Sequence, residues 1–308
     1  MSADAPFHEP ARGPRVRALW TDAADGVRLR AALWPEGHRG TVVLFPGRTE
    51  YVEKYAEVAR DLHGQGFASA AIDWRGQGLT ERLPQNRLAG HVGDFAEYQR
   101  DADAFVALLR AEGMPEPFHL LAHSMGGMIG LRALLRRMPF ERAAFSAPMW
   151  GLGVPPHMRA LAWAMSHAGH FLGYGEALAP ASGKSGDPAG APFHGNLLTT
   201  DPGRFAWMKG QLRARPELAL GPPSLSWLRA ALREMLTVRG MASPPVPALA
   251  LLGTDERIVD PAAVRRRIAR WPDGALHEVE GGRHEVLMER DALRGPAMAR
   301  IVAHLGAT

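Results

Sequence analysis

Short apolar runs alternate along this chain with segments of helical periodicity, and that rhythm restricts the fold more than any other feature. The runs are Thr41–Phe45 (TVVLF), Phe67–Ile72, His119–Ala122, Ala143–Ser146, Val246–Leu252 and Leu276–Val279. Each is short, and Thr41–Phe45 is an apolar, β-branched run, as in a strand buried on both faces. Between them, residues 51–63 place Tyr51, Tyr55, Val58 and Leu62 on one side of a helix. Helical segments follow at about 94–112 and from 125, and Asp260 with Pro261 supplies a cap and a first helical position for another. Strand–helix alternation requires right-handed crossovers and hence a largely parallel sheet. The fold class expected is α/β, a mostly parallel central sheet flanked by helices. Residues 15–34 read as a hairpin turning at Ala24–Asp25–Gly26.

The rhythm stops at Met149. Residues 150–245 offer no clear strand, but three helical stretches near 156–172, 203–214 and 224–238, with a Gly/Pro/Ser-rich loop at 183–196. The expected organisation is a core of 1–149 and 246–308 with a helical cap at 150–245. At 308 residues and 46% hydrophobic, the chain can bury a full core. No apolar run reaches the ~18 residues of a spanning helix, and the N-terminus lacks the apolar stretch of a signal peptide. A cytoplasmic location, at most peripheral to the inner membrane, is the expectation. Cysteine is absent, which excludes disulfides, a thiol nucleophile and thiolate metal sites. The net charge of +4 is scattered; the densest group, Arg265–Arg267, reads as a solvated helix face rather than a nucleic-acid patch.

The chemistry centres on LLAHSMGG, residues 120–127. A serine on so tight a strand-to-helix turn needs small residues two before and two after it, here Ala122 and Gly126. The turn lifts Ser124 above the carboxyl end of the sheet, at a helix N-terminus that favours developing negative charge. A serine nucleophile needs a base and a group that orients the base, and in this arrangement the chain order is Ser, acid, His. After the insertion, the strand VPALALLG runs into Thr254-Asp255-Glu256-Arg257, and Asp255 is the expected acid, with Glu256 and Asp260 as its rivals. Asp260 already has work as a helix cap. The next strand ends at Gly281-Gly282-Arg283-His284, which makes His284 the base over His277 inside the strand. The N–H after the nucleophile, on Met125, is one oxyanion donor; the loop Phe45–Thr49 supplies the other through Arg48, with Gly47 turning the backbone. The histidines show no metal-ligand spacing.

With these residues in place the sequence resembles the α/β-hydrolases of the lysophospholipase and monoacylglycerol lipase group, in particular the bacterial lysophospholipase branch. The matching stretches include PGRTEYVEKY (46–55), AIDWRGQGLTERL (71–83), HSMGG (123–127), NLLTTDP (196–202), GTDERIVD (253–260) and GGRHEVLMER (281–290), spread over nearly the whole chain. The resemblance departs at Ala122, where glycine is usual, and at Pro46, where many relatives carry His. It implies Ser124, Asp255 and His284 as the triad, and Arg48 and Met125 as oxyanion donors. Asp73, Arg75, Gly76 and Gly78 read as scaffold bracing the oxyanion loop. Glu50, Glu53 and Lys54 read as a first-turn helix face.

The expected function is a serine carboxylic-ester hydrolase acting on a monoacyl lipid, a lysophospholipid or monoglyceride, without metal or organic cofactor. A small-ester esterase, an acyltransferase or an aminopeptidase would use the same triad. The expected partner is the small-molecule or monoacyl-lipid substrate, with no nucleic acid and at most weak peripheral membrane contact. Trp150, Trp163, Trp207 and Trp227, with Met158, Met165 and Met208, are candidates for an acyl cleft.

Overall fold

In the computed structural model, residues 3–8, 14–82, 86–180 and 189–307 are described. Nine strands form one sheet: β1 (Ala3–Asp4), β2 (Arg17–Asp22), β3 (Arg28–Trp34), β4 (Thr41–Phe45), β5 (Ala68–Asp73), β6 (Phe118–His123), β7 (Ala143–Ser146), β8 (Ala248–Gly253) and β9 (Gly274–Val279). Their spatial order is β1-β2-β3-β5-β4-β6-β7-β8-β9. The first three pair antiparallel, β3 joins β5 antiparallel, and every pair from β5 to β9 is parallel. The two-residue strand β1 is an addition to the expected hairpin.

β4 shows why the central strands read as unbroken apolar runs. Val43 and Phe45 enter the core cluster on one face, while Val42 and Leu44 enter the other. Helices α2 (Ala96–Ala111) and α3 (Met125–Leu135) pack on the first face; α1 (Ala56–His63) and α8 (Asp291–Leu305) pack on the second. β9 is the edge strand, and its residues Gly274–Glu278 stay exposed or half-buried, so His277 sits at the rim. The parallel register aligns the carboxyl ends of β4, β6, β7, β8 and β9: Phe45 faces Ala122, His123 faces Ser146, and Gly253 faces Val279.

Between β7 and β8 lie three helices, α4 (Pro156–Phe171), α5 (Pro202–Ala214) and α6 (Leu225–Arg239), and no strand longer than an isolated bridge among the described residues. The loop expected at 183–196 falls partly, at 183–188, outside the described residues. α7 (Pro261–Ile268) starts where expected, its first turn capped by the Asp260 carboxylate on the Ala262 N–H. No helix among the described residues is long and apolar enough to cross a membrane.

The segment 51–63 departs from a single helix. Val52–Tyr55 forms a 3-10 turn before α1 begins. Its charged side chains are buried and not solvated, which corrects the reading of Glu50, Glu53 and Lys54 as an outer helix face. Glu53 and Asp73 both grip the fully buried Arg30, at 2.7 Å each. Within DWRGQG, Asp73 holds Arg30 and the Val52 and Leu79 N–H groups, while Arg75 pairs with Asp101 and Asp25.

Candidate active site

The turn after β6 carries Ser124 at φ +50°, ψ −115°, a conformation costly for a residue with a Cβ, of order 1–3 kcal/mol. Close packing enforces it. A Cβ on Gly126 would lie 2.0 Å from the Phe45 carbonyl oxygen, so only glycine lets the first turn of α3 rest on the end of β4. That contact brings the loop after β4 beside Ser124. The N–H groups of Arg48 and Met125 have no acceptor among the described residues, the condition an oxyanion hole requires.

His284 is buried, with its Nε2 2.9 Å from Ser124 Oγ. Its Nδ1 lies 2.7 Å from Glu256 Oε2. A carboxylate only accepts, so Nδ1–H donates to Glu256 and Nε2 is left to accept from the serine hydroxyl. Glu256 Oε1 in turn accepts the N–H groups of Ile258 and Val259, at 2.6 and 3.1 Å. Burial would raise the Glu256 pKa, but the bonds from His284 and these two amides outweigh it and hold the carboxyl below its ordinary range.

The expected acid, Asp255, is not the partner of His284. Thr254 and Asp255 form the turn that leaves β8, and Asp255 lies exposed there. The Asp255 N–H bonds to Gly282 O at 2.9 Å, so the backbone, not the carboxylate, faces the histidine loop. Glu256, one residue on, is 7% exposed and has the longer reach. The two loops meet because a Cβ on Gly253 would sit 2.2 Å from Gly282 O. Asp260 stays with its helix cap.

A second buried network lies behind His284, unforeseen in the sequence. Lys54 Nζ bridges Glu50 at 2.7 Å and Glu285 at 2.8 Å. Glu50 also accepts the Gly47 N–H and, at 2.6 Å, the Tyr55 hydroxyl. One chain of contacts therefore joins the oxyanion loop to the residue after His284. The His123 ring packs on the His284 ring, with centroids 4.8 Å apart. Burial would raise the Glu50 pKa; the Lys54 ammonium, with the hydrogen bond from Tyr55, overcomes this and lowers it to about 2. Burial likewise opposes the charge on Lys54, and Glu285 and Glu50 overcome it, keeping the ammonium above the usual lysine range. Burial pushes His123 down, towards the neutral form. Glu50, His123 and Glu285 carry metal-ligand atoms within 4.8 Å of one another, yet the Lys54 ammonium already stands between the two carboxylates, so this donor set does not suit a metal ion.

The inserted segment is tied to the histidine loop. The N–H groups of His284 and Glu285 donate to Leu197 O and Leu198 O, at 3.4 and 2.8 Å. Buried Glu289 accepts the N–H groups of Thr200 at 3.0 Å and Arg283 at 2.9 Å. Of the aromatic residues proposed for an acyl cleft, Trp227 is buried with its Nε1 on Tyr98 Oη, and Trp150 with its Nε1 on Gly127 O. Trp207 packs against Phe205, Met208 and Met288. These three belong mainly to cores; Trp163 is half-buried and stacks on His167.

Comparison with known proteins identifies the family. The family described as "Serine aminopeptidase, S33" matches residues 36–291. Lysophospholipase L2 of Escherichia coli (strain K12) is 35% identical over 294 residues, covering 90% of this chain and 82% of that protein. Phospholipase YtpA of Bacillus subtilis (strain 168) is 26% identical over 262 residues, covering 80% of this chain and 88% of that protein. A soluble variant of monoglyceride lipase from Saccharomyces cerevisiae superposes with a TM-score of 0.73 at 20% identity, covering 97% of this chain and 99% of the other, a likeness of fold. With the elbow serine, its histidine and the parallel sheet in place, the chain belongs to the S33 serine aminopeptidase family of α/β-hydrolases, on its bacterial lysophospholipase-like branch.

Proposed function

We propose that this protein hydrolyses the carboxylic ester of a monoacyl lipid, a lysophospholipid or a monoglyceride, through an acyl-enzyme on Ser124. The observation that carries the reading is the continuous hydrogen-bond path from Ser124 Oγ through His284 to Glu256 at a strained elbow. His284 Nε2 takes the hydroxyl proton as Ser124 Oγ attacks the ester carbonyl. The Arg48 and Met125 N–H groups receive the oxyanion, worth about 3–4 kcal/mol per donor in comparable sites. The protonated His284 gives its proton to the leaving alcohol, and water then attacks the acyl-enzyme with His284 as base. Glu256 holds the tautomer and offsets the imidazolium charge. Residues 150–245 act as a cap over a core of 1–149 and 246–308.

The lipid substrate is supported by the names of the relatives above. An α-ammonium substrate would need uncommitted carboxylates in the cap. Of the cap's acids, Asp201 caps α5 through the Arg204 N–H and Glu234 pairs with Arg132 at 2.6 Å; Glu176 is exposed and Glu217 half-buried, and Asp187 lies outside the described residues. The test is hydrolysis of esters with two, four, eight and twelve acyl carbons, below their micelle concentrations, alongside fatty-acid release from a lysophospholipid. Each buried CH₂ adds about 0.8 kcal/mol, so efficiency should climb through the eight-carbon ester. A steady fall from two carbons upward would leave a small-ester esterase, and acyl transfer to an added alcohol in preference to water would make it a transferase.

A further inference from the structure

A cavity of about 720 Å³ opens between α4, the end of α6 and α7, a size typical of small-molecule sites. None of Ser124, His284, Glu256 or the oxyanion loop lines it. Its wall combines two features. Five arginines line it, Arg159, Arg239, Arg266, Arg267 and Arg270, against a single carboxylate, Asp260. The pocket thus holds a surplus of positive charge equal to that of the entire chain, +4. Asp260 meets Arg159 only at 3.9 Å and Arg266 at 3.5 Å, and caps α7 as well. Arg239 and Arg270 have no carboxylate partner among the described residues.

The second feature is apolar. Leu236 and Met241, 56% and 40% exposed, face this same concavity, and Trp163 joins them. A hydrated anion would use the arginines alone, and a neutral oil would use only the apolar wall. A molecule with one anionic head and one alkyl chain uses both. The concave shape suits a single chain better than a flat bilayer. Arg267 fixes the pocket's floor by donating to Val238 O and, at 2.8 Å, to Met241 O, which ties α7 to the end of α6.

We infer that this pocket binds a single-chain anionic amphiphile, a long-chain carboxylate, with its head between Arg266 and Arg270 and its chain along Leu236 and Met241. The choice of a free carboxylate as occupant rests on the proposed ester hydrolysis, which releases that product; the charge and apolar wall do not depend on it.

The test is calorimetric titration of the full chain with sodium decanoate below its micelle concentration, after treatment with an alkylsulfonyl fluoride that occupies Ser124. Binding of one decanoate per chain is expected, at least tenfold weaker in Arg266→Glu/Arg270→Glu and in Leu236→Asp. Decanol and butanoate should each bind at least tenfold more weakly than decanoate. The arginine variant should still hydrolyse p-nitrophenyl butyrate at the unmodified rate. Equal decanoate binding by wild type and the arginine variant would overturn the inference. So would loss of binding on sulfonylation, which would put the ligand in the catalytic cleft, or arginine-dependent sedimentation with phosphatidylglycerol vesicles without decanoate binding, which would make the face a membrane contact. Failure of the ester panel removes only the product as source, because the titration reads binding and not turnover.

Discussion

Glu256 Oε2 accepts a hydrogen bond from His284 Nδ1 at 2.7 Å while its other oxygen is held by the backbone N–H groups of Ile258 and Val259. All of the carboxylate's geometry is therefore committed to orienting one imidazole. Its neighbour Asp255 is exposed.

Substituting the two acids separates them. Glu256→Gln presents an amide that can turn its NH₂ towards Nδ1 and favour the wrong tautomer; kcat should fall about 10⁴-fold, as for the equivalent change in other triads. Asp255→Asn should stay within about twofold of wild type. Steady-state rates on p-nitrophenyl butyrate measure both, and the opposite ranking would return the acid to Asp255.

Ser124→Ala and Ser124→Gly should both lose turnover, by a factor on the order of 10⁴–10⁶. They should differ in stability. Alanine keeps the Cβ at φ +50°, whereas glycine tolerates positive φ without that penalty. The glycine variant should gain about 1 kcal/mol over the alanine variant, or roughly 1.5 °C in melting temperature for a chain of this size. Differential scanning calorimetry of the pair decides it.

How much of this site was legible follows from the kind of constraint each residue obeys. Ser124 and His284 stand out because local sterics demand their neighbours: small residues around the elbow, and paired glycines where the β8 and β9 loops touch. The choice between Asp255 and Glu256 depends on where the exposed turn after β8 stops: it takes Thr254 and Asp255 and leaves Glu256 to face inward, and composition at that point is silent. Lys54 was illegible for a different reason. A Glu-x-x-Glu-Lys pattern on a helical start looks the same whether it meets water or a buried partner, and Glu285 arrives from the far end of the chain. The alternation of strands and helices, in contrast, is written into every segment, and the sheet follows it closely.

Lys54→Met should leave Glu50 and Glu285 as unpaired buried carboxylates and cost about 3–5 kcal/mol, read by urea unfolding. Loss of turnover should accompany it, because Glu50 also holds the Gly47 N–H.

Acid should weaken this same network. Glu50 has a folded-state pKa of about 2 against an ordinary 4.5. A depressed carboxyl pKa means the folded state favours the ionised form. Its contribution to stability is therefore complete above pH 4.5 and is lost as the pH falls from there towards 2. Unfolding free energies measured across that interval should fall more steeply for wild type than for Glu50→Gln.

Glu289→Gln tests the tie between the insert and the histidine loop. Glu289 takes three donors, the N–H groups of Arg283 and Thr200 and the Thr200 hydroxyl. An amide oxygen cannot serve them all, and each buried donor left unmet costs about 1–3 kcal/mol. Hydrogen exchange should quicken at residues 196–200 and 281–285 together, with kcat lowered more than KM is raised.

The order of strands in the sheet has a consequence for when this protein first becomes an enzyme. Ser124 and His284 are 160 positions apart, and the strand that leads to His284 is the outermost of the parallel series. A nascent chain can hold the elbow, the loop after β4 and most of the strands while still lacking His284. On the proposed mechanism reactivity is thus withheld until residue 284 has been made and the segment behind it, α8 included, has closed the second face of the sheet.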